Sequence, residues 1–267
     1  MNLLSRLNKA PHIDISCPYN KMNCTRGGGD SLIEIWTDHF DCPDETEYWY
    51  CIKDDILDMD ALKAKRRYEI KKGIKNFTTK VIDPSRYREE LYTVYVESLK
   101  GYKHNPIPIS MSEFQNCINS WCKPECRLFG SFDNESGKLC GYSDVYLRHP
   151  YLPISSLKTI PQFERNGVNA ALIYEICRYF EQDLRSGCYL CDGVRNSMHE
   201  TNFQNYLIKY FGFRRAYCKL HLAYKWYVYP FVFLLFPMRK NLRFDTKIAR
   251  ELCALLKMEA WSRGMTE

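Results

Sequence analysis

Between residues 77 and 226 the spacing of apolar positions changes repeatedly, and each change marks an element. Residues 77–82 (FTTKVI) carry the β-branched, alternating character of a strand. Pro84-Ser85 opens a helix that runs to Lys100, with Leu91, Val94, Tyr95 and Leu99 spaced to share one face. Ser110 stands where an N-cap would, ahead of a second helix over 112–121. Three strands are predicted next, over 126–132, 138–149 and 154–160, and the turn residues 133–137 (DNESG) join the first two as an antiparallel hairpin. A helix over 170–185 follows, with Leu172, Ile173, Ile176, Tyr179 and Phe180 on one side, and Ser186-Gly187 ends it. A strand over 188–194, a helix over 200–211 stopped by Gly212, and a strand over 215–226 complete the series.

The two ends of the chain read differently. Residues 1–59 form an irregular N-terminal extension with a turn at 26–30 (RGGGD) and short strands at 32–36 and 48–52. The glycine run lacks the Gly-Lys-Ser/Thr ending that holds a nucleotide's phosphates. Residues 60–226 make the main domain, and 227–267 a C-terminal apolar segment and helix, the helix packing Ile248, Leu252, Leu255 and Leu256 against that domain. The longest apolar run, 226–238, is broken by Pro230 and Pro237 and falls short of the roughly 20 residues a spanning helix needs. A second reading of this tail is an apolar wedge with a basic collar, docked on a membrane surface.

Composition narrows the class. The chain has 267 residues, 45% hydrophobic and 26% charged, which excludes a disordered or fibrous protein. Lys and Arg exceed Asp and Glu by 38 to 32, a net charge of +6 that suits a polyanionic ligand without naming one. Nine carboxylates between Asp38 and Asp60 are followed by seven basic residues between Lys63 and Lys75. The two blocks neutralise one another, so the basic helix reads as a solvated face, and nucleic acid is not expected as a partner. The 13 cysteines are odd in number and irregular in spacing, with no secretory pattern at the start, which predicts reduced thiols and a cytoplasmic location. No metal is expected. Cys188 and Cys191 have zinc-knuckle spacing, but residues three apart in a strand face opposite sides, and Cys117, Cys122 and Cys126 with His104 lack a second Cys-x-x-Cys.

The order strand, two helices, three strands, helix, strand, helix, strand, with Gly212-Phe213 before the last strand, resembles the GNAT acyltransferase superfamily over roughly residues 60–226. The basic, Gly-terminated segment 65–76 (KRRYEIKKGIKN) is similar to one common in its FemAB-like branch. The resemblance implies an α/β fold with a mixed, mostly antiparallel central sheet flanked by helices. It implies transfer of an acyl group from acetyl-CoA or another acyl-CoA to the amine of a small molecule.

Residue by residue, the resemblance places the pantetheine arm along the splayed strand 154–160, including Lys158 and Ile160, and the pyrophosphate at Arg165, Asn166, Gly167, Val168, Asn169 and Ala170, the start of a helix. Glu164 and Asn169 depart from the usual Q/R-x-x-G-x-G/A pattern, Glu164 adding a negative charge near the phosphates. Ile208 stands where the superfamily carries the tyrosine that protonates the leaving thiolate, so Tyr210, with Asn202 and Tyr206 beside the cofactor, is the substitute. Asp144, between Tyr142 and Tyr146 on one strand face, is the candidate base, with His149, Asp192 and His199 behind it. A non-catalytic scaffold or binding protein of the same fold is the other reading, favoured by the altered loop and the missing tyrosine. A third is a basic surface protein that uses 63–75 on nucleic acid or anionic lipid.

Overall fold

The computed structural model describes residues 4–15, 31–102, 106–195, 203–239 and 247–265. In chain order its elements are β1 (Leu4–Arg6), β2 (Ile33–Asp38), β3 (Tyr48–Lys53), α1 (Ala64–Asn76), β4 (Phe77–Val81), α2 (Arg88–Leu99), α3 (Met111–Trp121), β5 (Cys126–Asp133), β6 (Leu139–Tyr146) and β7 (Tyr151–Thr159). Then follow α4 (Pro161–Glu164), α5 (Val168–Tyr179), α6 (Glu181–Arg185), β8 (Tyr189–Val194), α7 (Phe203–Phe211), β9 (Arg214–Tyr224), α8 (Tyr229–Leu235) and α9 (Lys247–Ser262). The described chain divides into two compact units, one drawn from Met1–Cys51, Val194–Asn202 and Arg215–Glu267, the other from Ile52–Gly193 and Phe203–Arg214.

The second unit holds the strands β8-β7-β6-β5-β4 in that order. β4 to β7 are antiparallel neighbours, whereas β7 and β8 run parallel. β6 is central, and alternation buries both of its faces: Tyr142 and Asp144 on one, Val145 on the other. On the first face α2 and α3 close a core of Leu91, Val94, Phe114, Ile118, Trp121 and Tyr142. Ser110 caps α3 as expected, in a capping box: its Oγ accepts from the Glu113 amide at 3.3 Å, and its own amide donates to Glu113 Oε2 at 2.9 Å. On the other face α5 buries Val168, Ala171, Leu172, Ile173 and Ile176. The predicted helix over 170–185 breaks at Phe180, and Tyr179 is exposed rather than turned inward.

The first unit holds β1-β2-β9-β3, with β1 and β2 parallel and β2 and β9 antiparallel. α9 packs Leu255, Leu256 and Trp261 inward, and its buried Glu259 is satisfied by the Tyr224 hydroxyl at 2.6 Å and Arg263 Nε at 2.8 Å. In α8 Val232 is buried, as is the adjoining Phe236, while Phe231, Phe233 and Leu234 face outward. Among the described residues no helix is long and apolar enough to cross a membrane.

Candidate functional site

A fork opens between β7 and β8. Their pairing runs Tyr151 with Tyr189, Leu152 with Leu190 and Pro153 with Cys191, and stops there. Two local features turn β7 away. Pro153 has no N–H to carry a ladder onward, and the register against β6 slips between Asp144–Ser156 and Val145–Ile154, which makes Ser155 a β-bulge. A bulge inserts one residue on one side and bends the strand that carries it. Past the fork β7 keeps its pairing with β6 through Thr159, while its other edge has no strand partner among the described residues. β8 bends as well: Gly193 has φ +88°, a left-handed conformation that suits glycine, and its amide donates to Cys191 Sγ at 3.3 Å.

At the mouth of the fork lies a cavity of about 360 Å³ whose lining includes Tyr146, Arg148, Tyr151, Ser155, Cys191 and Gly193. Arg148 lies over the Tyr146 ring, 5.5 Å from its centre. Asp144 shares a strand face with Tyr146 and sits opposite Ser156, next to the bulge. It is buried and accepts hydrogen bonds from Ser156 Oγ and the Trp121 side chain. Burial pushes its carboxyl above the usual range, against the opposing pull of those bonds. Burial also pushes the Tyr146 phenol up to about 12, with smaller contributions from Cys126 and Asp144.

The other candidate residues stand in different surroundings. Lys158 Nζ donates to the Tyr102 hydroxyl at 3.0 Å, and Ile160 packs on the α2–α3 core. Gly167, with φ +96°, is the N-cap of α5 and lies against α1: a side chain there would meet Gly73 Cα at 2.9 Å. The carbonyl of Arg165 accepts from Lys72 Nζ, and that of Asn166 accepts from Asn76 Nδ2 at 3.0 Å. The basic helix is therefore clamped to the segment Arg165–Gly167. Asn169 Oδ1 accepts from Thr159 Oγ1 at 3.0 Å, and Val168 and Ala170 are buried in the first turn of α5.

On α7 the rings of Tyr206 and Tyr210 are 5.0 Å apart, and burial raises the Tyr206 phenol, with Glu69 of α1 contributing. Neither phenol is among the cavity's lining residues. Asn202, with His199 and His104, lies outside the described residues. Asp192, behind the fork on β8, has its carboxyl pushed up to about 7 by burial, partly offset by a hydrogen bond from the Gln204 side chain. Ser155, Ser156, Arg148 and Tyr151 escape the sequence reading. Pro153 ahead of two serines was the available signal, since proline in a strand marks an edge or a bulge.

The fold is a mixed, mostly antiparallel sheet flanked by helices, with a parallel pair that parts into a fork. No family model matches the chain, and no curated protein does. Among solved structures it is similar to L-PGS from Bacillus licheniformis, at 13% identity and a TM-score of 0.48 over 76% of this chain and 71% of that one. It is also similar to FemX, at 12% identity and a TM-score of 0.45 over 66% and 60%. An N-acetyltransferase from Thermoplasma acidophilum in complex with coenzyme A matches at 14% identity and a TM-score of 0.34 over 40% and 72%.

Proposed function

We propose that the protein is an acyl-CoA-dependent N-acyltransferase that transfers an acyl group, acetyl in the simplest case, to the amine of a small molecule such as an amino sugar or a cell-envelope precursor. The observation that carries this reading is the fork, where residues 155–159 leave one backbone edge without a strand partner beside a cavity and a buried carboxylate. Backbone N–H and C=O groups on such an edge need partners, and an extended amide-bearing arm supplies them as an added strand would. The CoA thioester supplies an activated carbonyl.

This chain's residues do the rest. The cavity lined by Tyr146, Arg148 and Tyr151 receives the acceptor. Asp144, whose affinity for a proton is raised by burial, takes the proton the attacking nitrogen loses. The departing thiolate takes a proton from Tyr210 or from water. Lys158 and the residues Ile160 to Ala170 border the path of the cofactor, and the amides of Val168, Asn169 and Ala170 open the first turn of α5, where an anion is favoured. The clamp of α1 on Arg165–Gly167 favours the second reading, a scaffold of the same fold in which that helix has closed the phosphate site.

Calorimetric titration with CoA and acetyl-CoA separates the two. Saturable heat, and CoA release with at least one member of an amine panel, is the expected result. No heat at millimolar CoA, with silence across the panel, gives the protein to the scaffold reading.

A further inference from the structure

We propose that His149, Asp183 and Cys188 form a binding site for a zinc-like divalent cation. The three donor atoms lie within 4.8 Å of one another, and theirs is the one such group of three found among the described residues. His149 Nδ1 is 3.3 Å from Cys188 Sγ and 3.5 Å from Asp183 Oδ1. A tetrahedral zinc with bonds of about 2.0–2.3 Å sets its nitrogen, oxygen and sulfur ligands roughly 3.3–3.6 Å apart, so both separations match ligands of one ion. A Cys–His–Asp relay does not match. It would use both ring nitrogens, whereas here the same nitrogen faces the thiol and the carboxylate.

The donors come from distant positions, and main-chain bonds hold them in place. His149 sits in the turn between β6 and β7, closed by reciprocal hydrogen bonds of Arg148 and Tyr151 at 3.1 Å. The Tyr189 amide donates to Pro150 O at 2.9 Å, which ties that turn to the start of β8. The Cys188 amide donates to Asp183 O at 3.0 Å, which ties α6 to Cys188. A site whose backbone is already fixed loses little freedom on binding.

The chemistry selects the ion. A thiolate and an imidazole suit zinc and disfavour magnesium or calcium, which take oxygen ligands. Thiolate and carboxylate together balance the charge of a divalent ion, and the thiol proton is released on binding. Three protein ligands leave a fourth position for water, and His149, 54% exposed, opens it to solvent. Binding here would pin the turn whose ends, Arg148 and Tyr151, line the cavity.

The full chain, stripped with a chelator, is titrated with Co²⁺ as a spectroscopic stand-in and then with Zn²⁺ in competition. The expected result is one equivalent of tetrahedral Co²⁺ with a thiolate charge-transfer band, displaced by Zn²⁺. Cys188→Ser should abolish the band. His149→Ala, a change at an exposed side chain, should keep the fold by circular dichroism and weaken binding at least about tenfold, the least expected when even an outer-sphere partner is lost. Zn²⁺ should raise the Tm of the native protein and not that of His149→Ala. A native chain without the band, or a band unchanged in Cys188→Ser or of native affinity in His149→Ala, overturns the site.

Discussion

Asp144 and Asp192 are both carboxylates in strands, and their surroundings set them different tasks. Asp144 is buried under α3 with Ser156 and Trp121 as donors, so its ionised form is held in place but poorly solvated. Asp144→Asn keeps the shape and removes the base, and transfer should fall at least about tenfold while CoA affinity is unchanged, which steady-state rates and calorimetry would check. Full turnover in that variant would make Asp144 a structural residue. Asp192 has a folded pKa of about 7 against an ordinary value of 3.8. The folded state therefore holds its proton through a range in which the unfolded chain has lost it. Its contribution to stability is full below the ordinary value and is lost as pH rises through about 7. Asp192→Asn should flatten this dependence, so that the variant gains Tm on the native protein at pH 8 relative to pH 5. Parallel melting curves across that range would refute the assignment. The place of Asp144 on one strand face with Tyr142 and Tyr146 was legible in the sequence, because alternation along a strand is local. The environment of Asp192 was not, because its burial is decided by elements outside its own strand.

At the scale of elements, the contact between α1 and α5 has the smallest tolerance. A side chain at Gly73 would meet Gly167 O at 2.6 Å and the Ala171 amide at 2.9 Å, both backbone atoms that cannot swing aside. Gly73→Leu should therefore force the helices apart and cost about 1–3 kcal/mol, read as a drop in Tm and in the denaturant midpoint. An unchanged midpoint would mean that α1 is only loosely seated. In the sequence Gly73 is only part of the basic segment 65–76, and Gly167 part of the stretch where the resemblance places the pyrophosphate; α1 runs past Gly73 to Asn76. The structure gives both a shared task, close approach of two helices, which no window around either residue contains. The N-cap at Ser110 was legible because a cap is a contact between residues three apart, and the structure adds the return bond from the Ser110 amide to Glu113 that completes a capping box. The helical stretch ends at Arg185 as the sequence predicts, but its break at Phe180 is not legible there, because the break leaves the apolar periodicity intact.

For the whole molecule, the 11 described cysteines form no disulfide with one another, and Cys122 is the exposed one among them. Thiol titration without reductant should find at least those 11 in denaturant, with Cys122 the fastest-reacting of the 11 in the native state, and Tm should not depend on reductant. A reductant-sensitive Tm would contradict the reduced fold. The order of elements follows from the chain alone, because the spacing of apolar residues reports which side of a segment is buried, and that is a local property. The same holds for the alternation that set Asp144 beside Tyr142 and Tyr146. Where β7 and β8 part, how α1 seats on Gly167, and how His149 meets Cys188 across 39 positions were decided by the tertiary structure. Each depends on backbones brought together from distant parts of the chain, and the spacing of residues within any one segment carries no record of its partner.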